Sequence, residues 1–219
     1  MKLKSNYFFA IAGNIGVGKT TWTKLLSEKF GWRAYYEKVK ENPYLEDFYK
    51  DMRRWSFHSQ IFFLTHRFKA HQEIQKTTST CIQDRTIFED AEIFARILHD
   101  RDNISDVDYL NYRELYEAIL NVLRFPDLII YLKASTWTLL SRIRKRGREF
   151  EREIDKEYLA QLNIYYDKWV EEYSKKYRVL VVDTDDLDIE KDTSRLNEII
   201  KQIGLYETQM ELFPMMNQV

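Results

Sequence analysis

An apolar run over residues 7–12 leads directly into Gly13-Asn14-Ile15-Gly16-Val17-Gly18-Lys19-Thr20, and a segment with helical spacing follows. The spacing is G-x-x-x-x-G-K-[ST], set between a strand and a helix as that motif requires. Half of the chain's six glycines fall inside this loop, so bare backbone is demanded here and almost nowhere else. Without a Cβ in the way, successive N–H groups can turn inward around phosphate oxygens. The helix that follows adds the positive end of its dipole. Lys19 offers a point charge to the outer phosphates, and the Thr20 hydroxyl can ligate Mg²⁺. Residues Gly13, Asn14, Ile15, Gly16, Val17, Gly18, Lys19, Thr20 and Thr21 are therefore expected to hold the phosphates of a nucleoside triphosphate. What happens to the phosphate must be read elsewhere.

Four further short apolar runs, 34–36, 80–83, 128–132 and 179–182, read as strands. Between them lie segments with helical periodicity at 20–30, 55–74, 109–123, 138–146 and 156–173. Strands alternating with long helices predict an α/β fold: a five-stranded parallel sheet flanked on both faces by helices, in three layers. The runs 128–132 and 179–182 are the richest in Leu and β-branched residues and are expected to be central or near-central. Composition is even and no Gly/Pro/Ser-rich linker interrupts the chain, which predicts one domain over 1–206 and a tail over 207–219.

Composition narrows the class. Lys and Arg number 34 against 35 Asp and Glu, a net charge of −1, which argues against direct nucleic-acid or anionic-membrane binding as the main activity. The single cysteine, Cys81, excludes an internal disulfide and a multi-thiolate zinc site. The expected setting is soluble, reducing and cytoplasmic, with no membrane partner.

Three constellations accompany the phosphate loop. Asp84-Arg85 ends the third strand, where substrates bind in open α/β sheets. Asp84 could act as a base or hold Mg²⁺, and Arg85 could steady a transferring phosphoryl group; a helix cap is the plainer role for Asp84. In the run 142–151, Arg142 and Arg146 share a helix face, and Gly147 breaks the helix before Arg148. Planar donors of this kind suit the spread charge of phosphoryl transfer, making this run a short arginine-rich lid; a solvated basic helix end is the alternative. Gln60 and Arg67 lie seven apart among Phe57, Phe63, Leu64 and Phe68, about 20° apart around a helix. They form either a polar patch in an aromatic pocket or a solvated stripe.

Taken in order, these residues resemble the deoxyribonucleoside kinase family over about 7–185. The specific marks are Glu37 after strand two, Tyr49 before Trp55, the W-x-x-x-x-Q helix, the acid-Arg pair and R-x-x-x-R-G-R. The resemblance implies an ATP- and Mg²⁺-dependent 5′-kinase of deoxyribonucleosides. It implies that Glu37 and Asp84 flank the 5′-hydroxyl, one of them taking its proton. Family members most often give the base to the Glu37 position and metal coordination to the acid beside Arg85. Tyr49 and Glu151 match sugar 3′-hydroxyl positions, Gln60 the base-reading amide, and Arg142, Arg146 and Arg148 the lid. Arg67 and Asp90 match a pair found in members that accept purine deoxynucleosides or deoxycytidine, which makes thymidine the least expected substrate. Lys38, Thr136 and Asp84 depart from the pattern, standing where many members have Pro, Pro and Glu.

Two other functions fit parts of the same pattern: a thymidylate-type nucleoside monophosphate kinase and a non-catalytic nucleotide-binding subunit. The first needs further basic residues beside the acceptor pocket. The second predicts loss of Lys19, Asp84 or the lid arginines, all of which are present. The resemblance also implies a homodimer, with the helix over 109–123, carrying Leu110, Leu115, Ile119 and Leu120, as candidate face; ordinary core packing is the alternative. In the tail, Gln209-Met210-Glu211-Leu212-Phe213 resembles the short peptide by which bacterial proteins dock on the replication sliding clamp; a packed or frayed terminus is the alternative.

Overall fold

The computed structural model describes residues 6–152, 154–188 and 192–212, the last eight of these by backbone alone. Among the described residues the sheet has five parallel strands: β1 (Phe8–Gly13), β2 (Arg33–Tyr35), β3 (Cys81–Asp84), β4 (Leu128–Lys133) and β5 (Val179–Asp183), in the order β2-β3-β1-β4-β5. Helix α1 (Lys19–Phe30) follows the phosphate loop, and α2 (Leu45–Lys50) and α3 (Met52–Lys76) fill the β2–β3 connection. After β3 come α4 (Ile87–Glu89), a π-helical turn over Asp90–Ala95, α5 (Arg96–Asp100) and α6 (Asp106–Leu120). Helix α7 (Thr136–Arg146) follows β4, α8 (Lys156–Tyr173) precedes β5, and α9 (Thr193–Leu212) follows β5.

Side-chain alternation builds the layers. On β4, Leu128, Ile130 and Leu132 pack with Trp22, Leu26, Leu196 and Ile203, from α1 and α9. Ile129 and Tyr131 face the opposite core of Leu64, Tyr112, Leu159 and Tyr166, from α3, α6 and α8. Both faces of the sheet are thus covered, which is why β1 and β4 read as nearly continuous apolar runs.

Strand β4 is flanked by β1 and β5, as its composition predicts. The expectation fails for 179–182: β5 is an edge strand, with Val181 50% exposed and Val182 buried. Its β-branched residues satisfy the pleat and one covered face, and composition does not separate that from burial on both. Helix α9 runs through residue 206 to Leu212. Residues 209–212 of the clamp-like peptide are the end of that helix, and Phe213 lies outside the described residues.

Candidate active site

The phosphate loop leaves the C-terminal end of β1, beside β3 and β4. Gly16 has φ +84°, and a Cβ there would sit 2.7 Å from Ile143 Cγ1 and 2.9 Å from the Leu139 carbonyl oxygen on α7. At Gly13, φ +147°, it would lie 2.6 Å from the Leu132 carbonyl oxygen. Only glycine lets the loop pass this close to its neighbours. Buried Asn14 ties the loop to α8, donating through Nδ2 to the Leu159 carbonyl (2.9 Å) and Asn163 Oδ1 (2.7 Å). Lys19 Nζ lies across the loop, donating to the Gly13 and Asn14 carbonyls at 2.8 and 2.9 Å. Burial lowers its pKa to about 7, and Arg85 adds to that while Asp84, Glu37 and Glu89 oppose it.

Asp84 and Arg85 end β3 next to the loop. The Thr20 hydroxyl donates to Asp84 Oδ2 at 2.6 Å, and buried Asp84 Oδ1 has no hydrogen-bond partner among the described residues. Burial raises the Asp84 pKa, and the Glu37 charge adds to the rise. Arg85 takes φ +63°, a left-handed conformation that costs a non-glycine residue roughly 1–2 kcal/mol. The turn directs its guanidinium back over the loop: Nη2 donates to the Gly13 carbonyl (3.4 Å), Nη1 to the Tyr166 hydroxyl (3.0 Å), and Nε lies 3.4 Å from Glu37 Oε1.

Glu37, two residues past β2, is held by two arginines. Arg67 Nη2 donates to its Oε1, the oxygen that Arg85 Nε also approaches. Burial would raise the Glu37 pKa, but Arg85, Arg67, Lys19 and Arg148 outweigh it and hold the carboxyl at about 2. Arg67 uses Nη1 on Asp90 Oδ2 at 2.5 Å, so one guanidinium bridges the two acids. Burial pushes Asp90 up to about 7 against the pull of Arg67 and Arg85.

Gln60 and Arg67 line one cleft from α3, both buried, with Phe63 between them. Gln60 Oε1 is buried with no hydrogen-bond partner among the described residues, an amide oxygen left over for something that enters the pocket. Tyr49 stacks on Phe150 at 5.8 Å, and Glu151, 3% exposed, lies beside it in the cleft wall. Glu151 receives Arg146 Nη2 at 2.5 Å and Arg148 Nη1 at 3.2 Å. Helix α7 ends at Gly147, φ +71°, where the chain breaks before Arg148 as the sequence predicts. Arg142 stands apart from this group. It donates to the carbonyls of Val17 (3.2 Å), Thr184 (2.5 Å) and Leu187 (3.3 Å) and to Thr184 Oγ1 (3.0 Å), joining the phosphate loop to the loop after β5.

One cleft of about 940 Å³ connects these groups, with the phosphate loop at one end and Tyr49, Gln60 and Arg67 at the other. Two buried residues that contact Arg85 or the phosphate loop escaped the sequence reading: Glu89, one residue before Asp90, and Tyr166 on α8. A capping box, Thr86 to Glu89, was the one local signal available for the first.

A glycine-rich phosphate loop, buried carboxylates and converging arginines around one cleft define a phosphoryl-transfer enzyme. The deoxynucleoside kinase family model matches residues 9–206. A deoxyadenosine/deoxycytidine kinase of Bacillus subtilis is 38% identical, with 92% of this chain and 94% of that protein covered. A deoxyadenosine kinase of Dictyostelium discoideum is 35% identical over 96% and 82%. The solved deoxyadenosine kinase from M. mycoides with bound dATP superposes with a TM-score of 0.80 at 34% identity, covering 91% and 100% of the two chains. The chain belongs to the deoxynucleoside kinase family.

Proposed function

We propose that the enzyme transfers the γ-phosphoryl group of ATP to the 5′-hydroxyl of deoxyribonucleosides, purine deoxynucleosides first and deoxycytidine next. The observation that carries this reading is Glu37 in the cleft wall, held by both Arg85 and Arg67. The phosphate-loop end would hold the triphosphate. The other end would take the nucleoside, with Gln60 on the base edge and Tyr49 and Glu151 at the 3′-hydroxyl. Glu37, ionised throughout the working pH range, orients the 5′-hydroxyl and receives its proton. The oxygen–phosphorus bond forms as the bond to the ADP leaving oxygen breaks. A loose transition state asks little basicity of that carboxylate and much of the surrounding cations. Lys19, Arg85, Arg146 and Arg148 meet the spread charge, with 142–151 as the lid.

The Thr20 hydroxyl and the unpartnered Asp84 Oδ1 form an oxygen donor set suited to Mg²⁺. Bound with the triphosphate, the ion would neutralise charge on the phosphate oxygens. This leaves Asp84 on the donor side and Glu37 on the acceptor side.

The test is ADP formation from ATP-Mg²⁺ with each deoxynucleoside and each monophosphate. Turnover with nucleosides is expected. Turnover with monophosphates alone would favour the thymidylate-type reading, and none at all the non-catalytic one.

The homodimer reading rests on family resemblance and on the outer face of α6 with the turn after it. Val107, Leu110, Leu115 and Val122 are 68%, 66%, 45% and 59% exposed, while Ile119 and Leu120 pack against the core and leave the expected face. Leu110→Glu is expected to lower the sedimenting mass from dimer to monomer. The clamp-like peptide at 209–213 remains a proposal for pull-down with and without the tail. Among the described residues no helix is long and apolar enough to cross a membrane.

A further inference from the structure

Glu89 is wholly buried, and its carboxylate accepts from four donors, none of them cationic, among the described residues. Oε2 accepts from the Thr86 N–H (2.9 Å) and the Thr86 hydroxyl (3.3 Å). Oε1 accepts from the Gly13 N–H, the first of the phosphate loop, at 3.2 Å and from the Tyr166 hydroxyl at 2.9 Å. The Tyr166 hydroxyl in turn accepts from Arg85 Nη1 at 3.0 Å, and Arg85 Nη2 reaches the Gly13 carbonyl at 3.4 Å. The contacts close into a ring running Arg85, Tyr166, Glu89, Gly13 and back to Arg85.

Adjacent side chains on a helix point about 100° apart, so Glu89 and Asp90 reach different groups, and a π-helical turn starts at Asp90. Such turns widen a helix locally and recur at functional sites. Glu89 faces the phosphate loop while Asp90 faces Arg67.

We infer that Glu89 and Tyr166 are positioning residues for phosphoryl transfer, fixing the Arg85 guanidinium relative to the phosphate loop before either substrate binds. A long, rotamer-rich arginine stabilises transferring charge only if its donors already point where that charge develops. The ring supplies this, because the carboxylate that holds the loop's first N–H also fixes the hydroxyl that holds Arg85. The inference rests on the kinase reading above and deepens it by naming what aligns one of its cations.

The test compares wild type, Tyr166→Phe, Glu89→Gln and the double variant in single-turnover assays at saturating ATP-Mg²⁺ and deoxynucleoside. ATP affinity by calorimetry and melting temperature are measured alongside. Tyr166→Phe removes one hydroxyl and keeps the ring's packing. It is expected to slow the transfer step about tenfold or more while the nucleoside KM stays within about twofold. Glu89→Gln places an amide nitrogen against one pair of donors, and is expected to slow transfer at least as much and to weaken ATP binding. The double variant is expected to be no slower than Glu89→Gln, because both changes open one ring. A Tyr166→Phe rate equal to wild type in folded protein would overturn the inference. So would multiplicative losses in the double variant, or a rate loss that only follows the unfolded fraction. If Glu89→Gln does not fold, the Tyr166→Phe rate alone decides. Absence of turnover in wild type would instead reject the kinase reading.

Discussion

The two ends of the cleft are built from different materials. At the phosphate-loop end the groups are mainly backbone, from one contiguous stretch, held by Asn14, Lys19 and Glu89 at short range from the chain they orient. At the other end they are side chains from β2's exit, α2, α3, the π-helical turn and the segment after α7, and they are held mostly by pairing with one another. Backbone donors cannot leave when a substrate arrives. Paired side chains can exchange partners, which suits an end that must select among acceptors. The contrast predicts that damage at the loop end removes catalysis without touching the fold, while damage at the acceptor end disturbs stability and selectivity together.

The largest effect is expected from Lys19→Ala. Its amine hydrogen-bonds to the loop's own carbonyls, so the melting temperature should change little while kcat falls by about 10²–10³-fold, the scale of losing a charge-stabilising donor. Next is Arg67→Ala, which leaves buried Asp90 without its cation. Unpairing a buried charge costs about 3–5 kcal/mol, or roughly 10 °C in melting temperature for a chain of this size. Replacing Asp90 as well, Arg67→Met with Asp90→Ala, should recover part of that stability, since apolar residues of similar volume tolerate such sites, while Glu37 keeps Arg85. The double variant should also shift preference from purine nucleosides towards thymidine. A variant that keeps its purine preference would separate the pair from base selection.

The smallest effect concerns acid. Because the folded Glu37 carboxyl is held at about 2, below its ordinary 4.5, its contribution to stability is present above pH 4.5 and is lost as pH falls from 4.5 through 2. Glu37→Gln should therefore flatten the fall in stability over that window, measured by denaturant titration at successive pH values.

The same contrast explains what was legible in the sequence. The loop motif, the acid-Arg pair and the Gly147 break could be read because each is local, and their geometry follows from spacing. Gln60 and Arg67 were readable as one helix face, and the structure buries both. What the sequence hid depends on tertiary distance. Glu89 and Tyr166 meet across 77 positions, and no local pattern on α8 distinguishes Tyr166 from its neighbouring tyrosines. Arg142 lies on the expected helix face, yet its donors turn to the loop after β5, 42 positions away. Edge or centre for β5 depended on what lies beside it, which strand composition does not encode.

The most direct test of the account is competition: deoxyadenosine, deoxyguanosine, deoxycytidine and thymidine at equal concentration with limiting ATP-Mg²⁺, with the product monophosphates resolved. The account predicts 5′-monophosphates, the purines first, deoxycytidine next and thymidine last. Thymidine monophosphate as the main product, or phosphate on the 3′-hydroxyl, would contradict it.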